Sequence, residues 1–141
     1  MEISWSEQEK KVQERIKTKV NEIDIKAKSC ATRSSFELRN SAVKVLGGHR
    51  SGRRYKKPYT RNAYYTASAP GEPPAVRTGI LRMSWKPKGE SNGKGKYTAR
   101  IESDVPYAEI LEERNKAPRP YKDKIIEDAK PKVIQIFSQL K

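Results

Sequence analysis

Cysteine and histidine are each present once, as Cys30 and His49. A single thiol excludes a disulfide or a thiolate metal cluster within one chain, and it fits a reducing compartment. A single imidazole excludes a His-based zinc site and a Ser-His-Asp triad built from one subunit. His49 itself reads as a solvated loop residue beside Gly47 and Gly48. No run of about 18 apolar residues occurs and no short apolar stretch follows a basic start, so neither a membrane span nor a signal peptide is expected. The chain is expected to be soluble and to stay where it is made. Apolar residues make up only 34% of the 141, the same share as charged ones, which is lean for a compact monomer. Such a chain completes its core against a partner. One domain over 1–141 is the expectation from length.

Acidic residues are scarce in the middle of the chain. Residues 1–46 carry ten Lys/Arg and seven Asp/Glu, residues 47–95 carry eleven and two, and residues 96–141 carry ten and eight. Of the net +14, the middle third therefore supplies +9. A field of this kind favours polyanions or acidic protein surfaces and says little about fold.

Glycine and proline are absent from the first 46 residues. There Val12, Ile16, Val20, Ile23, Ala27, Ala31, Leu38, Ala42 and Val45 recur at steps that place them on one stripe of a helix. Ser4 with Glu7, or Ser6 with Glu9, has capping-box spacing, and Gly47-Gly48 supplies the stop. Glu7–Lys11, Glu22–Lys26 and Asp24–Lys28 are i,i+4 pairs, each worth roughly 0.2–0.5 kcal/mol on an exposed face. The helix would be about 60 Å long. Its middle is narrow and small, with Ala27, Cys30, Ala31, Ser34 and Ser35 permitting close approach of a second helix. Packing within its own domain and packing between subunits both remain open for it.

From 47 to 78 the sequence predicts a long arm without regular structure. "HRSGRRYKKPYTR" places Arg50, Arg53, Arg54, Lys56, Lys57 and Arg61 among Tyr55 and Tyr59, with Tyr64 and Tyr65 following. A loop this long orders on assembly or carries function. Its cations suit a phosphate backbone and its tyrosines suit stacking or sugar contacts; without a base-reading motif, binding would tolerate any sequence. Docking on an acidic protein, or a merely solvated loop, are the other readings. Residues 79–105 are expected to form a strand over Gly79–Lys86, directly or after a single helical turn opened by Thr78, then a turn or flexible hairpin tip at "KPKGESNGKGK" and a returning strand at "YTARIES". Residues 106–141 are expected to give a short helix at "YAEILEE", a loop at "RNKAPRP" and a C-terminal helix burying Ile125, Ile126, Ala129, Val133, Ile136, Phe137 and Leu140. Pro131 is expected to kink or restart that helix. The fold class is α+β, with a long N-terminal helix, a Pro-rich basic loop, a small antiparallel sheet and a C-terminal helix.

No enzymatic constellation stands out. "GESNGKGK" lacks Walker spacing and opens no helix, and Glu109, Glu112 and Glu113 lie among Arg114, Lys116 and Arg119, where a solvated ion-pair surface is expected. No catalytic residue, metal or cofactor is assigned.

"SAPGEPPAVRTGILRMSW", then "VPYAEILE", then "RPYKDKIIEDAKPKVIQIF" together resemble the tail-component family of long-tailed bacteriophages. The matching positions are Pro70, Gly71, Pro73, Pro74, Thr78, Gly79, Leu81, Ser84, Tyr107, Ala108, Arg119, Pro120 and Tyr121, across roughly residues 38–140. Members carry a Glu-aromatic-Gly turn after the Tyr-Ala step, where this chain has Glu112-Glu113-Arg114. The resemblance implies a virion protein at the head–tail interface, assembled in the host cytoplasm. Its role there would be adaptor, stopper, completion factor or tail terminator. It implies a homo-oligomeric ring, six-fold by analogy and twelve-fold in some necks, between neighbouring neck proteins and around packaged double-stranded DNA. The proline segment would be a stiffened arm that reaches neighbouring subunits at low entropic cost. The alternative from charge alone is a free-standing, sequence-tolerant nucleic-acid-binding protein.

Overall fold

The computed structural model describes residues 5–113 and 118–140; Ser4, Arg114 and Lys116 lie outside them. The order is α1 (Trp5–Gly47), β1 (Arg54–Lys56), β2 (Tyr64–Thr66), α2 (Ile80–Met83), β3 (Lys86–Ser91), β4 (Tyr97–Glu102), α3 (Ala108–Glu113) and α4 (Lys122–Ser138). The class is α+β, with two separate antiparallel hairpins, β1–β2 and β3–β4.

The helix α1 runs its 43 residues unbroken, about 65 Å at 1.5 Å per residue. It ends where expected, and two arginines from later in the chain close it. Arg82 donates to the carbonyl of Val43 at 3.2 Å and Arg50 to that of Val45 at 2.8 Å. Both cations oppose the negative end of the helix dipole, and Arg50 also supplies the Val45 carbonyl with the partner that the ended helix does not.

The apolar stripe of α1 divides in two. Ala27, Cys30, Ala31, Ala42 and Leu46 are buried, together with Ser34, Ser35 and Ser41. From Ser6 to Ile23 every residue is exposed, and Val12, Ile16, Val20 and Ile23 are each more than half exposed. The cause is reach. At 17 residues α4 is only about 26 Å long. It runs antiparallel to α1, as ties from Cys30 to Ile136, Arg33 to Gln139, Glu37 to Lys132 and Lys44 to Asp128 show. At the other flank the Tyr97 hydroxyl of the hairpin donates to Asp24 at 2.7 Å, just beyond the exposed stretch that ends at Ile23. Of the three expected ion pairs Asp24–Lys28 closes at 3.2 Å, while Glu22 pairs with Lys19 instead.

The small residues of α1 admit a hairpin as well as a helix. In β3–β4, Gly89 sits opposite Ala99 and faces Thr32, where an added Cβ would lie 2.7 Å from the Thr32 backbone nitrogen. The two expectations for residues 79–96 have different outcomes. Residues 80–83 are the single helical turn, the alternative to strand there: the Thr78 hydroxyl accepts from Ile80 N, Gly79 at φ 80° turns the chain into α2, and Leu81 goes into the core. Residues 86–91 are strand and not a flexible tip, paired from Lys86↔Glu102 to Ser91↔Tyr97. The tip itself is confined to 92–96, where the Asn92 side chain accepts from the amides of Lys94 and Lys96.

The main core gathers Ala42, Leu46, Leu81, Trp85, Ala108, Tyr121 and Ile125. α4 runs through Pro131 as one element, with that residue on the exposed side, so the helix does not restart there. Ile126, expected inside, is 56% exposed, whereas Ala129 is fully buried.

Candidate nucleic-acid and partner surfaces

The segment 47–78, expected to be irregular, contains a β-ribbon. β1 and β2 pair in the register Arg54↔Thr66, Tyr55↔Tyr65 and Lys56↔Tyr64, extended by Gly52 to Ala67 and Lys57 to Ala63 hydrogen bonds. A two-stranded hairpin alone is marginal in water. Here Gly52 brings the strands unusually close at the base, since a Cβ there would sit 2.4 Å from the Ala67 carbonyl oxygen. Side chains alternate between faces. Tyr55 and Tyr65 stack on one face with centroids 5.9 Å apart and Arg53 5.8 Å from the Tyr55 ring. On the other face the Arg54 guanidinium lies 4.5 Å over Tyr64. At the tip Tyr59 has φ 61° and is fully exposed.

Five of the six basic candidates stay with this ribbon. Arg53, Arg54, Lys56 and Arg61 are exposed, and Lys57 is half-buried. Arg50 is not free for a partner. Besides Val45 it donates to Pro74 O at 3.1 and 3.2 Å and to His49 O at 2.9 Å. Burial pushes its guanidinium below the ordinary arginine value, with Glu72 acting in the opposite direction. Arg50 is a clamp between the helix end and the proline segment.

That proline segment lies along its own subunit rather than extending from it. Ala69-Pro70-Gly71-Glu72 forms a turn closed by Glu72 N to Ala69 O, with proline at the second position and Gly71 at φ 83° at the third, the type II pattern. Glu72 accepts from the amides of Ser51 and Ala69 and from the Ser51 hydroxyl. These bonds, the Ser51 hydroxyl's first, hold its carboxyl down to about 2. Lys124 of α4 donates to Gly71 O at 2.7 Å, and Pro73 and Pro74 are buried. The expected inter-subunit arm over Pro70–Pro74 is therefore anchored at home.

The remaining motif residues converge. Thr78 and Gly79 lead into α2, where Leu81 is buried and the Ser84 hydroxyl donates to Leu81 O. The buried Tyr121 hydroxyl donates to Ala108 O at 2.6 Å, its ring meets Trp85 edge-on, and burial pushes its phenol up to about 12. Glu112 accepts from the amides of Tyr121 and Lys122 at 2.8 and 3.3 Å, which caps α4. This is a role that sequence spacing did not suggest. Tyr107 is 41% exposed and borders an open apolar hollow of about 720 Å³ with Leu46, Pro58, Val76 and Ile80.

Among the described residues no group of His, Cys, Asp and Glu is placed to hold a metal, and no helix is long and apolar enough to cross a membrane. Comparison with protein-family models, curated proteins and solved structures finds no match.

Proposed function

We propose that this chain is a structural subunit of the neck of a long-tailed phage, forming a ring that joins head to tail or completes the tail. The observation that carries the reading is the N-terminal half of α1. Over Ser6–Ile23 it is exposed at every position, yet it keeps Val12, Ile16, Val20 and Ile23 on one stripe. Covering the exposed half of four such side chains stabilises association by roughly 1 kcal/mol each, enough to matter when repeated around a closed ring. A lean core and a helix longer than its own domain are what a subunit completed by its neighbours needs. The order of the three motif segments supports the assignment to the neck. A second reading, a free-standing basic nucleic-acid-binding protein, draws on the ribbon's charge and leaves the α1 stripe unexplained.

Light scattering on the full chain, over a wide concentration range, tests the proposal. The wild type is expected to form closed oligomers, and Ile16→Lys with Ile23→Lys is expected to leave monomers whose circular dichroism still shows a folded domain. A wild-type chain that remains monomeric throughout, or a double variant that still forms full oligomers, overturns it.

A further inference from the structure

We propose that the β1–β2 ribbon is a contact for duplex DNA that enters the major groove and grips phosphates from both of its faces. The proposal stands on one subunit and does not rest on the ring. Its first ground is that cations lie on opposite sides of one thin element. Arg54 and Lys56 share the face of Tyr64 and Thr66, while Arg53 shares the face of the Tyr55–Tyr65 stack, and Arg61 stands at the exposed tip. An acidic protein surface would meet one face and leave the other in water. A groove has phosphates along both walls, and the B-form major groove, about 12 Å wide, admits a two-stranded ribbon.

The second ground is the absence of internal neutralisation. From Leu38 to Gly71 the sequence holds no aspartate or glutamate. Glu72, the next acid, is bound to Ser51 and Ala69. Among the described residues none of the ion pairs includes Arg53, Arg54, Lys56, Lys57 or Arg61. The third ground is orientation. With Arg54 resting on Tyr64 and Arg53 beside Tyr55, the tyrosines support the guanidinium planes, whose N–H edges remain available for phosphate oxygens. Part of the ordering cost of binding is thereby met before contact. Tyr55 and Tyr64 act as props for arginine here and not as platforms for unstacked bases, which points to a duplex and away from single strands.

Fluorescence anisotropy of the full chain with a labelled DNA duplex of mixed sequence, and with an RNA duplex of the same length, provides the test. The DNA duplex is expected to bind tighter, because the A-form major groove is too deep and narrow for side chains to read. Replacing Arg53, Arg54, Lys56 and Arg61 by Gln is expected to reduce the slope of log affinity against log salt by about 3–4 and to weaken binding on the order of a hundredfold at moderate salt. Replacing Lys10, Lys11, Arg15 and Lys17 of α1 by Gln removes equal charge and is expected to move the slope by less than about one unit. R53K with R54K keeps the charge and the fold; it is expected to preserve the slope and weaken binding a few-fold through loss of the stacked planes. Equal loss in the ribbon and α1 variants would reduce the effect to net charge and overturn the proposal. So would equal affinity for the two duplexes, or a ribbon variant that keeps DNA affinity while losing binding to poly-glutamate.

Discussion

The two hairpins of this chain are built from similar lengths of backbone and are opposites in every other respect. β3–β4 lies with Gly89 against the backbone of α1 and turns outward a balanced ladder, in which Lys88 pairs with Glu90 and Arg100 bridges Glu90 and Glu102. β1–β2 leaves Tyr55 and Tyr64 nearly half exposed on opposite faces, and its cations have no acid beside them. The first hairpin is a wall of the domain. The second is tied to the domain at its base by Arg50 and Glu72, and its tip borders the apolar hollow beside Leu46 and Tyr107. Where charge is compensated and a face is covered, an element serves stability; where neither holds, its residues are available for a partner.

The sharpest way to break this contrast is at Gly89. An alanine there must push Thr32 and the helix away from the hairpin, an overpacking cost of about 2–3 kcal/mol. The expected loss is about 6–10 °C of melting temperature. Neutralising the ribbon cations is expected to stay within about 0.5 kcal/mol per site, as exposed substitutions do. Calorimetry of the two variants decides: comparable losses would mean that the ribbon is also a wall.

Tyr121→Phe comes next in size and tests the core that positions β3 through Trp85. It removes a buried hydrogen bond and leaves the Ala108 carbonyl with its helical partner alone, at a cost of about 1 kcal/mol, or about 3 °C. The sign with pH follows from the raised phenol. Its value in the folded chain, about 12, lies above the ordinary 10.0, so its contribution is complete below pH 10 and disappears as pH rises toward 12. Thermal melts between neutral and strongly alkaline pH should show a larger base-labile step in the wild type than in the variant, which keeps the contribution of Tyr97, raised by its hydrogen bond to Asp24.

What was legible in the sequence divides along physical lines. The course of α1 and its stop at Gly47 could be read because 3.6-residue periodicity and the glycine signal are local. How much of the stripe is buried could not, because that depends on how far α4 and β3–β4 extend along it. "KPKGES" has little strand preference of its own; it is a strand because β4 pairs with it and Gly89 fits the helix. The ribbon was missed because three-residue strands are too short to display alternation, although "RYK" and "YYT" on either side of "PYTRN" are rich in strand-forming tyrosine. The basic cluster was visible from composition. The exclusion of Arg50 from it was not, since only the fold brings Pro74 and Val45 to that guanidinium.

The smallest expected effect concerns the ribbon's tether at Glu72, and it separates the hairpins by pH alone. The carboxylate accepts from two amides and a hydroxyl, which lowers it from 4.5 to about 2. A depressed acid contributes stability above its unfolded value and loses that contribution as pH falls through the folded one. The tether is therefore expected to be intact above about pH 4.5 and to release toward pH 2. In a nuclear magnetic resonance titration the amide signals of Ser51 and Ala69 should move with a midpoint near the lower value, which those of Gly89 and Ala99, beside the paired acids of the other hairpin, should not share. Glu72→Gln keeps an acceptor oxygen but no titrating group, so the movement should vanish with little change in overall melting. A midpoint at the ordinary carboxylate value would mean that Glu72 is solvated and does not tether the ribbon. If the Gly89 and Ala99 signals shared the midpoint of Ser51 and Ala69 and lost that movement in Glu72→Gln, the two hairpins would be one cooperative unit.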